Sequence, residues 1–517
     1  MTTSPRANVA QMLWDTAARF PERPAILHGA TRATYRQLRA RAAAIAVQLK
    51  ASGVAPGDRV GVFVDGGVDG VATFFAILAC GAVAVVINEA LRPRQIEYML
   101  THAEAKALLT TAELLARQPR AIRAPAAVLE LAQIPTGGPA IDPVPVGEDA
   151  LAQITYTSGS TGAPKGVMIS HANLWAAMRT VTRYLGIEPF DRIASILPFS
   201  FVYGMSQVLC AVGTGAALIV ERSPLANQLV ANLRAREVTV LAAVPPLWGQ
   251  LLGVAGFRDA SFPTLRVLTN AGGHLPVERV RALRQAQPQA RLFLMYGLTE
   301  VLRSTYLPPD QVDARPGSMG KAIPEADVLV LREDLTECAP GETGELVHAG
   351  PTVTLGYWHD PANTARTFRP HPVRPQEARR VVFSGDLVRR DADGFLFYVG
   401  RRDRLIKSLG YRVSPEEVAE VIQGSGEVVE VVVTGEADPQ RGEQIVAHVV
   451  LRAEDALERL RRFCGIELPR YMQPARYEVH ASLPRLPSGK FDLLALRGAP
   501  RDVLQRHHSG TQRQPAV

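Results

Sequence analysis

Between Tyr156 and Gly166 the chain reads Tyr156-Thr157-Ser158-Gly159-Ser160-Thr161-Gly162-Ala163-Pro164-Lys165-Gly166, gathering hydroxyls, glycines and one cation into a single loop. Glycines let backbone N–H groups converge on a phosphate, and hydroxyls add donors in the same concavity. Lys165 supplies a mobile positive charge for a polyphosphate tail. The chemistry that fits is retention of a nucleoside triphosphate. A kinase or ATPase P-loop needs Gly-x-x-x-x-Gly-Lys-Ser/Thr opening a helix, but Lys165 follows Pro164 and precedes Gly166. The P-loop alternative fails on its spacing. A flexible connector has a similar composition, and the loop alone does not separate the two readings.

The other lysines are Lys50, Lys106, Lys321, Lys407 and Lys490, and arginine supplies every remaining cation. In so Arg-biased a chain a lysine marks a place where a compact ammonium resists replacement by a guanidinium. Chance retention covers Lys50 and Lys106. Cys80, Cys210, Cys338 and Cys464 lie far apart, without metal-ligand spacing, and are expected to be free thiols. The 57 basic and 50 acidic residues leave a net charge of +7, spread along the chain without a basic block. That distribution gives no sign of nucleic-acid binding and suits anionic ligands.

At 517 residues the chain should divide into at least two domains. Strand and helix signals alternate up to about residue 310, at Arg59–Val64, Val83–Ile87, Ile193–Leu197, Val238–Ala243, Leu265–Thr269 and Arg291–Met295. Alternation of this kind predicts parallel α/β sheets. Ahead of them, helical periodicity from Asn8 to Gly53 surrounds an extended piece ending at Thr34–Leu38. From Ile323 to Tyr398 short strands with Gly, Pro and Asp turns predict a β subdomain, about 323–400. Past the charged run Arg401-Arg402-Asp403-Arg404, helix signals at Pro415–Ile422 and near Ala456–Cys464 flank β-like runs at Val428–Thr434 and Gln444–Leu451. The expected fold is α/β: a large N-terminal domain of residues 1–400 with two helix-flanked sheets and the β subdomain, a hinge at 401–404, and a small mobile α+β domain of 405–517 ending in a disordered tail from about 507. Met1–Ala7 shows no signal-peptide hydrophobic stretch, and the apolar run Val71–Ile87 reads as a buried helix-turn-strand, not a membrane span. A cytoplasmic protein is expected.

Further segments join the phosphate loop in order: Tyr296-Gly297-Leu298-Thr299-Glu300, Gly344-Glu345-Leu346, Gly356-Tyr357-Trp358, Ser384-Gly385-Asp386, Gly400 to Lys407, Gly410 to Pro415, and Leu486-Pro487-Ser488-Gly489-Lys490. In this order the set resembles the adenylate-forming superfamily of acyl-CoA synthetases, peptide-synthetase adenylation domains and luciferases, over nearly the whole chain. The resemblance implies that a carboxylate attacks the α-phosphate of ATP, releasing pyrophosphate and leaving an acyl-AMP, which a pantetheine thiol then converts to a thioester. Such chemistry needs charge neutralisation and alignment more than proton transfer. By the same resemblance Thr157, Ser158, Gly159, Ser160, Thr161, Gly162 and Lys165 hold the phosphates together with Thr299, and Glu300 is the Mg²⁺ ligand. Asp386 accepts the ribose hydroxyls with Arg401 assisting. Asn270, Ala271, Gly272 and Gly273 form the adenine-side loop, with Tyr296 and Gly297 opposite. Lys490 is the catalytic lysine, Asp403 the hinge, and Gly410 lies on the face that approaches the thiol channel.

The family's pocket wall corresponds to Leu197–Gly204, with Phe201 where many acyl-CoA synthetases have His, and Val202 where α-amino-acid adenylation domains usually carry Asp. An ammonium buried against Val202 would lack its partner, at a cost of several kcal/mol in order of magnitude, so an α-amino acid is disfavoured. Register with the family adds Tyr203, Ser206, Trp248, Met295, Val301, Arg303 and Ser304 to the pocket. Arg303 has two readings: a partner for a second acidic or oxygenated group of the acyl chain, or for a structural carboxylate. The run Arg303–Pro309 resembles ligases of exported-polymer and specialised-metabolite loci. No carrier module follows Lys490, so coenzyme A or a separate holo carrier protein is the expected acceptor. The alternatives are a stand-alone amino-acid adenylation enzyme loading a carrier protein, and a catalytically silent nucleotide-binding scaffold.

Overall fold

The structure is a computed structural model that describes residues 8–123, 127–137, 141–157, 164–260, 262–374, 380–401, 405–453, 455–484 and 491–498. Its largest element is a nine-stranded sheet in which Pro24–His28, Ala217–Val220, Arg192–Ser195, Val240–Ala243, Val267–Asn270 and Arg291–Tyr296 run parallel. Val240–Ala243 and Val267–Asn270 are buried at every position, as central strands covered on both faces must be. A seven-stranded sheet is built around Arg59–Phe63, Val83–Val86, Ala105–Thr110 and Leu151–Thr157. Helix Tyr35–Ala51 lies against the first sheet and helix Val68–Ala79 against the second, and the two helices pack on each other, so one apolar core runs through both sheets.

The extended piece expected to reach Leu38 stops at Thr34. Thr34 accepts from the Gln37 N–H while the Gln37 side chain accepts from the Thr34 N–H, a capping box that starts the helix at Tyr35. Val71–Ile87 is the expected helix-turn-strand, bending at Gly81 with φ 71°. No helix among the described residues is long and apolar enough to cross a membrane. All four cysteines are buried and free.

Strands Asp327–Leu331, Thr343–Ala349, Phe368–Arg369, Val381–Arg390 and Leu396–Arg401 form a third, antiparallel sheet. The C-terminal region has a separate core beneath a sheet of its own. There the long pair Val428–Asp438 and Gly442–Leu451 carries the hairpin Ile406–Ser408/Tyr411–Val413 on one side and the parallel strand Arg476–Val479 on the other. Helices Pro415–Gly424 and Ala456–Glu467 complete that domain.

Candidate active site

The loops that follow two neighbouring parallel strands open at the carboxyl edge of the large sheet, where α/β folds bind ligands. After Val267–Asn270, the Asn270 side-chain amide donates to the Gly273 carbonyl (3.2 Å) and closes a tight loop. Gly272 has φ 79°, and a Cβ on Gly273 would come within 3.2 Å of Pro245, so the backbone of this loop is left bare. The buried Asn270 Oδ1 has no partner among the described residues. After Arg291–Tyr296, Gly297 and Leu298 lead into the short turn Thr299–Val301 that carries Glu300.

Glu300 is buried, and its position depends on a remote strand pairing. Gly356–Tyr357 pairs antiparallel with Lys165–Ser170, and the Trp358 N–H donates to the Gly166 carbonyl (2.7 Å). This brings the Tyr357 hydroxyl 2.8 Å from Glu300 Oε1 and its ring 5.5 Å from the Lys165 ammonium. Burial first, and Glu300 next, hold the Tyr357 hydroxyl well above the usual phenol range, so it remains the proton donor to that carboxylate. Gly356 has φ 126°, and a Cβ there would stand 2.6 Å from Thr364 Cγ2. Tyr357 had no assigned role in the sequence, although the Gly356-Tyr357-Trp358 motif was the signal.

Asp386, on strand Val381–Arg390, faces Arg401 across the strand pair and is buried. The Tyr296 hydroxyl donates to Asp386 Oδ2, and Arg412 of the C-terminal domain lies 4.0 Å from the same oxygen. Tyr296 thus ties the edge of the large sheet to the third sheet.

Beside these groups lies a cavity of about 320 Å³ lined in part by Thr157, Phe201, Val202, Tyr203, Asn270 to Gly273, Met295 to Gly297, Thr299, Arg303 and Gly410. Tyr203 is fixed by Thr269, whose Oγ1 and carbonyl oxygen lie 2.7 and 2.8 Å from its hydroxyl. The Arg303 guanidinium sits 4.7 Å over the Tyr203 ring and is 3% exposed. Its Nη1 donates to the Leu302 carbonyl (3.0 Å) and the Tyr184 hydroxyl lies beside the guanidinium, while Nε and Nη2 make no well-aligned hydrogen bond among the described residues. No structural carboxylate pairs with it there. Ser206 borders a small void of about 20 Å³ next to Arg303 and Gln153.

Three expected pocket residues lie elsewhere. Trp248 is fully buried in the second core beside Phe257, because helix Pro245–Leu252 turns that face away from the cavity. Val301 points into the main core as the turn after Glu300 winds inward. Ser304 is buried against His348, 3.0 Å from its Nδ1, and burial holds that imidazole neutral by lowering its pKa to about 3.

The C-terminal domain closes the cavity mouth. Leu409 and Gly410 have φ 53° and 85°, and a Cβ on Gly410 would lie 3.2 Å from Val244 Cγ2. The Tyr411 ring meets Phe201 edge-on at 4.9 Å and stacks on Tyr471 at 3.8 Å. At the rim, Arg94 pairs with Glu420 (2.9 Å) and the Gln95 side chain donates to the Glu467 carbonyl (3.2 Å). Glu417 is pushed up to about 8 by burial, with Arg94 opposing and Glu420 reinforcing that shift. Ser158, Gly159, Ser160, Thr161, Gly162, Asp403 and Lys490 lie outside the described residues, as does the side chain of Arg401.

The model of the AMP-binding enzyme family matches residues 13–358, and that of the AMP-binding enzyme C-terminal domain matches 417–490. The chain belongs to the AMP-binding enzyme family. An L-proline–[L-prolyl-carrier protein] ligase of Pseudomonas fluorescens is 31% identical over 505 residues, covering 94% of this chain and 98% of that relative. Tyrocidine synthase 3 of Brevibacillus parabrevis is 30% identical over 94% of this chain, but the chain spans 8% of its length. The o-succinylbenzoate CoA synthetase of Bacillus subtilis, 26% identical, superimposes with a TM-score of 0.84 when bound to the product analogue OSB-NCoA, over 95% of this chain and 98% of that one. The same synthetase with its acyl-adenylate OSB-AMP gives 0.69, over 97% and 99%. As a family member the chain is an AMP-forming acid–thiol ligase: it activates a carboxylic acid as acyl-AMP with release of pyrophosphate, then transfers the acyl group to a pantetheine thiol.

Proposed function

We propose that the 320 Å³ cavity holds the acyl-adenylate, with the nucleotide toward Asn270–Gly273 and Asp386 and the acyl chain running along Phe201, Val202, Tyr203 and Met295 toward Arg303. A substrate carboxylate oxygen attacks the α-phosphorus of ATP, and the bond to the pyrophosphate oxygen breaks. The acceptor sulfur then adds to the acyl carbonyl, and AMP leaves with the bonding pair. Thr157, Lys165 and Thr299 neutralise the phosphates, together with Ser158 to Gly162, and Asp386 with Arg401 holds the ribose. Lys490 bridges the attacking oxygen and the α-phosphate, where charge accumulates. Glu300 fits Mg²⁺: it offers a hard carboxylate oxygen, steadied by the Tyr357 hydroxyl beside Lys165. When bound, the ion neutralises phosphate charge.

The observation that carries the substrate reading is Arg303. A buried guanidinium whose side-chain neighbours, Tyr184 and Tyr203, are neutral is costly without an anionic or strongly accepting partner, so that partner arrives with the substrate. The acid therefore carries a carboxylate, carbonyl or hydroxyl oxygen at its far end. Val202 presents no carboxylate for an α-ammonium, and Glu417 is the one carboxylate among the described lining residues, standing at the domain seam. The domain arrangement is the thioester-forming one, a reading supported by Gly410 at the cavity and by the higher score against the synthetase bound to its CoA product analogue. The prolyl-carrier-protein ligase favours a second reading of the acceptor, a holo carrier protein in place of coenzyme A.

Pyrophosphate release should be measured across a panel of acids, followed by comparison of CoA with a holo carrier protein. Acids bearing a distal oxygen should exceed their alkyl isosteres in kcat/KM by about 10- to 100-fold, the worth of a charged hydrogen bond. Activity confined to amino acids would overturn the substrate reading.

A further inference from the structure

A second constellation lies in the C-terminal domain, away from the cavity. His448 on strand Gly442–Leu451 stands directly opposite Glu478 on the parallel strand Arg476–Val479. His480 follows two residues on, which returns it to the same face, and its N–H is held by the Val449 carbonyl (2.9 Å). His448 Nδ1 is 3.1 Å from Glu478 Oε2 and 3.2 Å from His480 Nε2, and the latter is 3.9 Å from the same carboxylate oxygen. A point equidistant from these three atoms lies about 2.0 Å from each, the length of a Zn–N or Zn–O bond.

We propose that His448, Glu478 and His480 bind one divalent transition-metal ion of the zinc type. Two imidazoles and a carboxylate form a donor set that favours such ions over Mg²⁺ or Ca²⁺. The surroundings orient each ligand as metal sites require. The remote His448 nitrogen, Nε2, lies 3.0 Å from Thr434 Oγ1. Arg476 takes the other Glu478 oxygen, Oε1 (2.9 Å), and pairs with Glu436, which leaves Oε2 facing the imidazoles. His448 is 1% exposed, so the ion would be held on one side by a buried ring. Glu478 and His480 are partly exposed, giving the ion a route in and water a fourth position.

The site also has a place in the fold. Four residues beyond His480, the Pro484 carbonyl accepts from the Asp492 N–H (2.8 Å), pinning the base of the segment that contains Lys490. Leu483 and Leu496 pack on Val432 of the adjoining strand. A metal joining His480 to His448 clamps the lead-in to that segment against the sheet. Its role is structural, and the ion itself touches neither nucleotide nor acid.

The test uses the full chain without a histidine tag, stripped with a chelator and titrated with Zn²⁺ by calorimetry and with Co²⁺ by visible absorption. One equivalent of Zn²⁺ should bind, Co²⁺ should give the intense bands of a four-coordinate ion, and Zn²⁺ should raise the melting temperature. His480→Asn and Glu478→Gln, both at partly exposed positions, should fold as the parent does by circular dichroism and weaken binding by at least about 100-fold. Clearly substoichiometric binding, or affinity unchanged within about threefold in both variants, would show that the three side chains form a hydrogen-bonded cluster only.

Discussion

The wall of the cavity and the surface that covers it are made in different ways. The wall grows from buried parallel strands, and Tyr203, Met295 and Arg303 are held by the core that joins the two large sheets. The cover comes from a domain with its own core, and much of what crosses the seam is an aromatic contact at Tyr411 or a partly exposed polar pair such as Arg94–Glu420. Exposed pairs of that kind are worth about 0–1 kcal/mol each. In the proposed mechanism the wall stays fixed and selects the acid, whereas the cover swings and selects the half-reaction. On that proposal one cavity serves two chemical steps because only one of its sides moves.

The largest effect should come from the moving side. Lys490→Ala should slow pyrophosphate release by roughly 100- to 1,000-fold, as loss of a transition-state charge partner does, while preformed acyl-AMP still passes to the thiol at the parental rate. Pyrophosphate release at the wild-type rate would remove Lys490 from the mechanism.

On the fixed side, Arg303→Met should lower kcat/KM by about 10- to 100-fold for acids with a distal oxygen and leave alkyl acids nearly unchanged. The melting temperature of the free enzyme should hold or rise, since a buried charge without an anionic partner is removed. A large stability loss with equal effects on all acids would return Arg303 to a structural role.

A smaller effect tests the support beneath the metal ligand. Tyr357→Phe removes the hydrogen bond to Glu300 and should raise the Mg²⁺ concentration for half-maximal adenylation by roughly fivefold, about 1 kcal/mol. An unchanged Mg²⁺ dependence would separate Tyr357 from that site.

A pH-dependent effect concerns the seam. Glu417 keeps its proton up to about pH 8 in this arrangement, facing Arg94, Glu420, Tyr98 and Tyr471, whereas an exposed glutamate titrates near about 4.3. Between those values the closed arrangement binds more protons than the swung one, so rising pH disfavours it until about pH 8, where the trend stops. The Glu417→Gln to wild-type ratio of thioester-forming rates should climb with pH over that window and then level. A flat ratio would show that Glu417 does not report on closure.

Residues whose chemical type is rare or whose spacing is local could be read from the sequence. The glycines of Asn270–Gly273, the carboxylates Glu300 and Asp386, and the helix-turn-strand at Val71–Ile87 belong to that group. Positions set by distant pairing could not. Tyr357 reaches Glu300 only because Gly356–Tyr357 joins a strand nearly two hundred residues earlier. Trp248 was misplaced because family register does not say which way a helix face turns. Strand Arg476–Val479 alternates charged and apolar residues for only four positions, too short a run to stand out, and His448 and Glu478 are thirty residues apart until the strands pair, so neither the strand nor the His448–Glu478–His480 cluster announced itself.

The division between fixed wall and moving cover is tested most directly by Gly410→Leu, which places a side chain where Val244 leaves 3.2 Å for a Cβ. Rapid quench with labelled ATP and a preferred acid should show acyl-AMP forming at the parental rate and persisting after thiol is added, with transfer slowed at least about tenfold. Parental transfer from that variant, or equal loss of both steps, would contradict the account.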